Sequence, residues 1–342
     1  MPKIFFATDL HGSETCWRKF INAAKFYDCD TLICGGDMTG KAIVPIVQED
    51  GRFTYALGGE QQTVPKEQVA EVEAHVRRKG YYPLQMTVDR LHELDKDPAE
   101  RARTFQQVML EGVERWMNMA AEKLAGTKVR CFVSPGNDDE FEVDEVIRQA
   151  KAVELGEGRV VDLEGFSMIS SGWSNPTPWN THREETEEKL SERIDAMAKD
   201  VRDPSKAIFN LHCPPFKSGL DEAPAIDADL RLLHGGRALR PVGSTAVREA
   251  IERYQPLLSL HGHIHESKGA VKIGKTLSIN PGSAYEEGML MAAIINLDAQ
   301  KGIRVTSWST VSSRLGRRKW LKRQWAAVRQ GRRCFFGTRR VS

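Results

Sequence analysis

The feature that most constrains this chain is a set of short apolar runs, each of which breaks into polar residues at its C-terminal end. Residues 3–9, 31–37, 129–136, 207–213, 257–262 and 276–282 read as buried strands. Residues 159–172 and 291–298 look like further strands. Helical patterns fall between several of them. Ser13 is placed to cap a helix whose apolar face is Trp17, Phe20, Ile21 and Ala24, at the i, i+3, i+4, i+7 spacing. Strands alternating with helices imply a layered α/β fold.

Two stretches interrupt that plan. Residues 42–57 alternate on both sides of Asp50-Gly51, a β-hairpin signal. Residues 65–125 read as helical, with Pro65 in a first turn, then Val69, Val72 and Val76, and later Phe105, Val108, Met109, Val113, Trp116 and Met117. We read 42–125 as an inserted hairpin and helical cap within a domain spanning 1–311. Met109, Trp116, Met117 and Met119 belong to a core in this reading. The insertion either covers the active-site edge and restricts substrate size, or packs on the side of the sandwich or forms a dimer contact; its position after the second strand favours a cap. A charged helix over roughly 183–200 is mostly a solvated face.

Charge divides the chain. Residues 299–342 carry thirteen Lys and Arg and no acid, against a net charge of +2 for all 342 residues, so the first 298 balance to −11. The segment 312–342 is expected to be a basic C-terminal tail. Its Trp320, Leu321, Trp325 and Val328 lie near one face of a helical pattern. Nucleic acid and an anionic membrane are the candidate partners, beside a tail that only contacts the acidic body. The longest strongly apolar run, residues 289–295, is too short to span a bilayer, and the N-terminus lacks signal-peptide anatomy. The six cysteines form no C-x-x-C pair and are read as reduced thiols of a cytoplasmic protein. Gly35-x-x-x-x-Gly40-Lys41 nearly matches a phosphate-binding P-loop. The match fails at Ala42 and in the strand-like residues that follow, where a helix is required.

The chemistry lies at the strand ends. The first run ends in Asp9-Leu10-His11, the second in Gly36-Asp37 and the third in Gly136-Asn137-Asp138-Asp139. Later runs end in His212 and in His261-Gly262-His263-Ile264-His265. Ligands bind at the carboxyl ends of strands in open α/β sheets. Any one of these motifs is weak, but five in order are specific. Asp, Asn and His offer hard and borderline donors suited to Mn, Fe, Zn or Ni, with no thiolate required. Two such ions can clamp the oxygens of an in-line displacement at phosphorus.

In order, D-x-H, G-D-x-x-G, G-N-x-D, a strand-end histidine and G-H-x-H resemble the calcineurin-like metallophosphoesterases. The resemblance covers roughly 3–37 and 128–298. More narrowly, the run from Gly172 to Trp179, the segment around Gly243 and Asn280-Pro281-Gly282-Ser283 look like an archaeal and bacterial group named after cyclic-AMP phosphodiesterase. The resemblance implies a four-layered α/β/β/α sandwich. It also implies one ion on Asp9, His11 and His265, another on Asn137, His212 and His263, and Asp37 bridging them. His261 is not a ligand in the family and is either a hydrogen-bond partner or simply buried. The implied activity is hydrolysis of a phosphate ester, such as a nucleotide, by attack of a metal-bridging hydroxide. Many relatives carry histidine where this chain has Asp138, which favours a phosphodiesterase. It leaves three routes open: Asp138 as general acid, a leaving group that needs none, or help from another residue. Asp139 is read as an orienting residue. The alternatives are a catalytically weak metal-binding scaffold and a nucleic-acid-associated nuclease that uses the basic tail. Oligomeric state is not indicated.

Overall fold

The structure is a computed structural model that describes residues 2–227, 229–298 and 302–311. The basic tail read at 312–342, with Cys334, lies outside the described residues.

Two six-stranded sheets form the body, with strands numbered in chain order. The first runs β18 (Gly302–Val311), β17 (Leu290–Asp298), β1 (Lys3–Ala7), β2 (Thr31–Cys34), β7 (Arg130–Val133), β8 (Glu154–Leu155). From β1 to β8 the neighbours are parallel, and β17 returns antiparallel to β1. The second runs β15 (Gly269–Ile273), β16 (Thr276–Asn280), β14 (Leu258–Leu260), β11 (Ala207–Leu211), β10 (Phe166–Ser171), β9 (Val160–Leu163). Its four middle strands are parallel and its two edges antiparallel.

Alternation along the strands builds the layers. Ile4 and Phe6 of β1 face the second sheet and meet Phe166, Met168, Ile208 and Leu260. Phe5 and Ala7 point the other way, into a core with α1 (Glu14–Tyr27), α4 (Pro98–Leu124) and α5 (Val143–Arg148). On the far side of the second sheet, Ile169, Phe209 and Leu211 pack against α6 (Glu187–Ala198) and α7 (Thr245–Tyr254). The result is the α/β/β/α sandwich. Fully burying each of these large apolar side chains contributes roughly 1.5–3 kcal/mol.

The inserted region differs from its sequence reading. The hairpin of β3 (Ile43–Glu49) and β4 (Arg52–Leu57) turns at Asp50 (φ 47°) and Gly51 (φ 76°), the two positive values that a type I′ turn needs. It belongs to a four-stranded sheet, ordered β5 (Glu60–Pro65), β4, β3, β6 (Tyr82–Thr87). Pro65 ends β5 and is also the N-cap of a single 3-10 turn, Lys66–Gln68, that leads into the next helix. The run expected to be helical contains β6, parallel to β3 and reached through α2 (Val69–Arg78). β6 has only six residues, too few for its period to show, and Pro83 is tolerated because the strand is an edge. Val44, Ile46, Phe53 and Tyr55 pack on Val69, Val72 and Val76 as a separate small core. After α3 (Val88–Lys96), α4 leaves this subsheet and joins the main core through Met109, Val113, Trp116 and Met117. A short pair, β12 (Glu222–Pro224) and β13 (Leu239–Pro241), completes the strands.

Smaller differences have local causes. Residues 159–172 split into β9 and β10 at Glu164-Gly165, both with positive φ. Ser13 does precede α1, but its hydroxyl donates to Arg78 O (3.0 Å) and makes no cap. It thereby ties α1 to the insertion. Beside it three glycines meet. A Cβ on Gly40 would lie 2.1 Å from Gly80 O, one on Gly12 2.6 Å from the same oxygen, and one on Gly80 2.2 Å from His11 O. Cys16, Cys29, Cys34, Cys131 and Cys213 are free and buried. No helix among the described residues is long and apolar enough to cross a membrane.

Candidate metal centre

The loops that leave β1, β2, β7, β11 and β14 converge at one edge of the sandwich. Parallel pairing continues past the strand ends and sets their register: Asp9 N donates to Gly36 O (2.9 Å), His11 N to Asp37 O (2.9 Å) and Gly262 N to His212 O (2.9 Å). Asp9, His11, Asp37 and His263 all have left-handed backbone, with φ of 54°, 39°, 49° and 67°. Strain of about 1–3 kcal/mol at each non-glycine residue of this kind collects at functional sites. The motif glycines leave room for side chains of other loops. A Cβ on Gly136 would fall 2.1 Å from Asp37 Oδ1, and one on Gly262 2.4 Å from Asp9 Oδ2.

Seven side chains meet here: Asp9, His11, Asp37, Asn137, His212, His263 and His265. Asp9, His11 and His265 form one group able to hold a metal ion, with candidate ligand atoms within 4.8 Å of one another; Asp37, His212 and His263 form a second. His11 Nε2 and His265 Nε2 are 3.0 Å apart. Asp37 Oδ2 lies 3.3 Å from His212 Nε2 and 3.6 Å from His11 Nε2, so this carboxylate reaches both groups. Asn137 Oδ1 is 2.7 Å from His263 Nδ1.

The electrostatics follow from crowding. Burial opposes the charge on Asp37, yet His212 and His11 hold its carboxyl well below the usual range. Burial likewise opposes ionisation of Asp9, and His265 and His212 overcome it to bring the carboxyl to about 2. His212 is pushed up to about 9, because Asp37 and Asp9 outweigh its burial. Burial takes His11 and His263 down to about 4.

One atom tests whether these residues suit a cation. His212 Nδ1 faces Gly35 O at 3.0 Å, so in the neutral ring Nδ1 carries the proton and Nε2 the lone pair. That Nε2 is buried with no hydrogen-bond partner, and it points toward Asp37. The raised pKa of this imidazole places a proton between Nε2 and the Asp37 carboxylate, 3.3 Å away, and a metal ion held between the two atoms would take that proton's place.

No family model matches the chain. Uncharacterized protein MJ1162 of Methanocaldococcus jannaschii is 32% identical over 166 residues, which is 47% of this chain and 68% of that protein. The chain belongs to the same family as MJ1162. In fold, one solved structure is similar over 90% of this chain and 100% of its own, with a TM-score of 0.53 at 16% identity. TT1561 of Thermus thermophilus is similar over 89% of this chain and 98% of its own, with a TM-score of 0.48 at 13% identity.

In this member of the MJ1162 family, the residues beside the cluster divide by role. Asp139 is fully buried and accepts from Gly136 N (2.7 Å), Met38 N (3.0 Å), Thr39 N (2.8 Å) and Thr39 Oγ1 (2.6 Å). It binds the β2 and β7 loops together. Asp138 donates its backbone N–H to Asp37 Oδ1 (3.0 Å), and its carboxylate meets Lys41 Nζ at 2.9 Å. His261 stands apart, fully buried between Leu211 O (2.8 Å) and Ser259 Oγ (2.7 Å).

Sequence reasoning missed four residues. Thr181 Oγ1 accepts from Asn137 Nδ2 (2.8 Å), which turns Asn137 Oδ1 toward His263. Arg183, buried in the same loop, donates to Asp139 O and Glu140 O and pairs with Asp144 at 2.6 Å. Tyr285 packs its ring 4.8 Å from that of His11. Lys41 was visible only as the end of the failed P-loop match.

Proposed function

We propose that the chain is a calcineurin-like metallophosphoesterase with two metal ions, akin to the group named after cyclic-AMP phosphodiesterase, and that it prefers phosphodiesters to monoesters. The observation that carries this reading is the pair of buried Asp and His groups that share Asp37, whose Oδ2 lies 3.3 Å from His212 Nε2 and 3.6 Å from His11 Nε2, with Asn137 Oδ1 2.7 Å from His263. Asp9, His11 and His265 would hold one ion, Asn137, His212 and His263 the other, with Asp37 shared. Mn, Fe, Zn or Ni suits these donors. Such ions polarise phosphoryl oxygens and make water a stronger nucleophile.

The chain's own residues do the rest. Thr181 keeps the Asn137 amide oxygen turned inward. Asp139 fixes the two loops that carry Asp37 and Asn137. Tyr285 covers one face of His11. Asp138, paired with Lys41 Nζ at 2.9 Å, stands where many relatives of the resembled family carry a histidine, and that replacement supports the diester preference.

The test is hydrolysis of bis(p-nitrophenyl) phosphate and p-nitrophenyl phosphate by metal-stripped protein titrated with Mn, Ni, Zn or Mg. Metal-dependent turnover, faster on the diester and lost in Asp37→Ala, is expected. Two ions bound per chain with no turnover on either ester would sink the enzyme reading. Equal or faster monoester turnover would reverse the diester preference.

A further inference from the structure

Lys41 is the residue of the failed P-loop match, and the fold gives it a different setting. It sits in the loop after β2, four residues beyond Asp37. Tyr82 of β6 brackets it: Gly40 N donates to Tyr82 Oη (2.8 Å), and Tyr82 N donates to Ala42 O (3.0 Å). Lys41 is thus held on both sides by one residue of the inserted sheet. Its ammonium reaches back to Asp138 Oδ2 (2.9 Å), an oxygen 3.9 Å from His11 Nδ1. Side-chain exposure rises outward along this line, from 5% at Asp37 to 23% at Asp138 and 56% at Lys41. The line marks a route from the cluster to solvent. Among the described residues Asp138 is the partner of Lys41, and an ammonium has three donors. The other donors are free to face whatever enters.

We propose that Lys41, presented by the inserted sheet and steered by Asp138, binds a phosphoryl oxygen of the substrate at the rim of the metal cluster. The proposal rests on the phosphoesterase reading above for the identity of the substrate, but not for the binding of phosphate. It removes the conflict posed by Asp138, since the carboxylate aims a cation and no longer meets the phosphate uncompensated. A lysine acts here as a point charge, which suits a phosphate approached from one side.

The experiment compares wild type, Lys41→Ala, Lys41→Arg and the double variant Lys41→Ala/Asp138→Asn, each reconstituted with Mn²⁺ and checked for metal content. Binding of inorganic phosphate is measured by calorimetry, and KM and kcat on bis(p-nitrophenyl) phosphate. Lys41→Ala should weaken phosphate binding and raise KM by about 10-fold at unchanged metal content, with most of the effect recovered in Lys41→Arg. If Lys41 contacts phosphate, the double variant stays weak. If Lys41 only neutralises Asp138, the double variant regains wild-type affinity, and the proposal is overturned. Binding by Lys41→Ala within twofold of wild type overturns it too, as does absence of phosphate binding by the loaded wild type. A wild type that binds phosphate but turns nothing over defeats the enzyme reading alone, and the binding series still decides Lys41.

Discussion

Glu157 shows how a single carboxyl is governed by its surroundings away from the metal cluster. Its Oε2 accepts from Gly172 N (2.7 Å), while Oε1 is shut off from solvent with no partner. Burial pushes the acid up to about 7, with the Gly172 bond and the nearby Arg183 and Arg193 charges only partly offsetting it. The folded state therefore holds this proton more tightly than the unfolded chain. The associated stability is complete below the ordinary glutamate range and is lost as pH rises toward about 7. Unfolding free energy should fall by roughly 2–3 kcal/mol between pH 4 and pH 8 through this residue. Denaturant titrations of wild type and Glu157→Gln across that range check it, since the variant should lose that part of the slope; identical slopes would refute the assignment. At this scale the seven cluster residues were legible because each follows a strand in a short motif. Thr181, Arg183 and Tyr285 were not. Each touches the cluster's loops from 44 or more positions away in sequence, and no spacing rule reports such a contact.

At the scale of elements, nine of the twelve strands of the two main sheets were readable from apolar runs, since strands buried on both faces leave continuous hydrophobic stretches, whereas β8, β15 and β18, at the sheet edges, were not read. The inserted sheet was only half readable. β5 (sequence Glu-Gln-Gln-Thr-Val-Pro) is largely exposed and polar, so nothing in its composition marks it, and β6 borrows its conformation from β3. α4 was readable as a helix but not in its allegiance. It follows the inserted sheet in sequence, yet it is anchored on α1. The Trp17 and Trp116 rings stack at 5.1 Å, and Trp17 Nε1 donates to Trp116 O (3.0 Å). Trp116→Ala should cost about 3–5 kcal/mol of global stability, measured by chemical unfolding. A loss under about 1 kcal/mol would mean that α4 contributes little to the main core.

Across the whole molecule, the cluster joins both sheets: Asp9, Asp37 and Asn137 come from the first, His212, His263 and His265 from the second. A cation bound there ties the halves of the sandwich together, and it binds the folded chain in preference to the unfolded one. At saturating Mn²⁺ the melting temperature should rise by roughly 5 °C over chelator-treated protein, and Asp37→Ala should show little of that rise. A wild-type melting curve indifferent to metal would be inconsistent with a site spanning the two sheets. The three-glycine junction bears on the same edge. Gly12, Gly40 and Gly80 bring the β1 loop, the β2 loop and the α2–β6 turn into backbone contact with no space for a methyl group. A hinge needs slack, and three touching backbones have none. In the phosphoesterase proposed above, the inserted sheet would stand as a wall beside the His11 loop and not as a door, and a substrate would meet it at a pace set by diffusion and charge, with no waiting for a lid to swing.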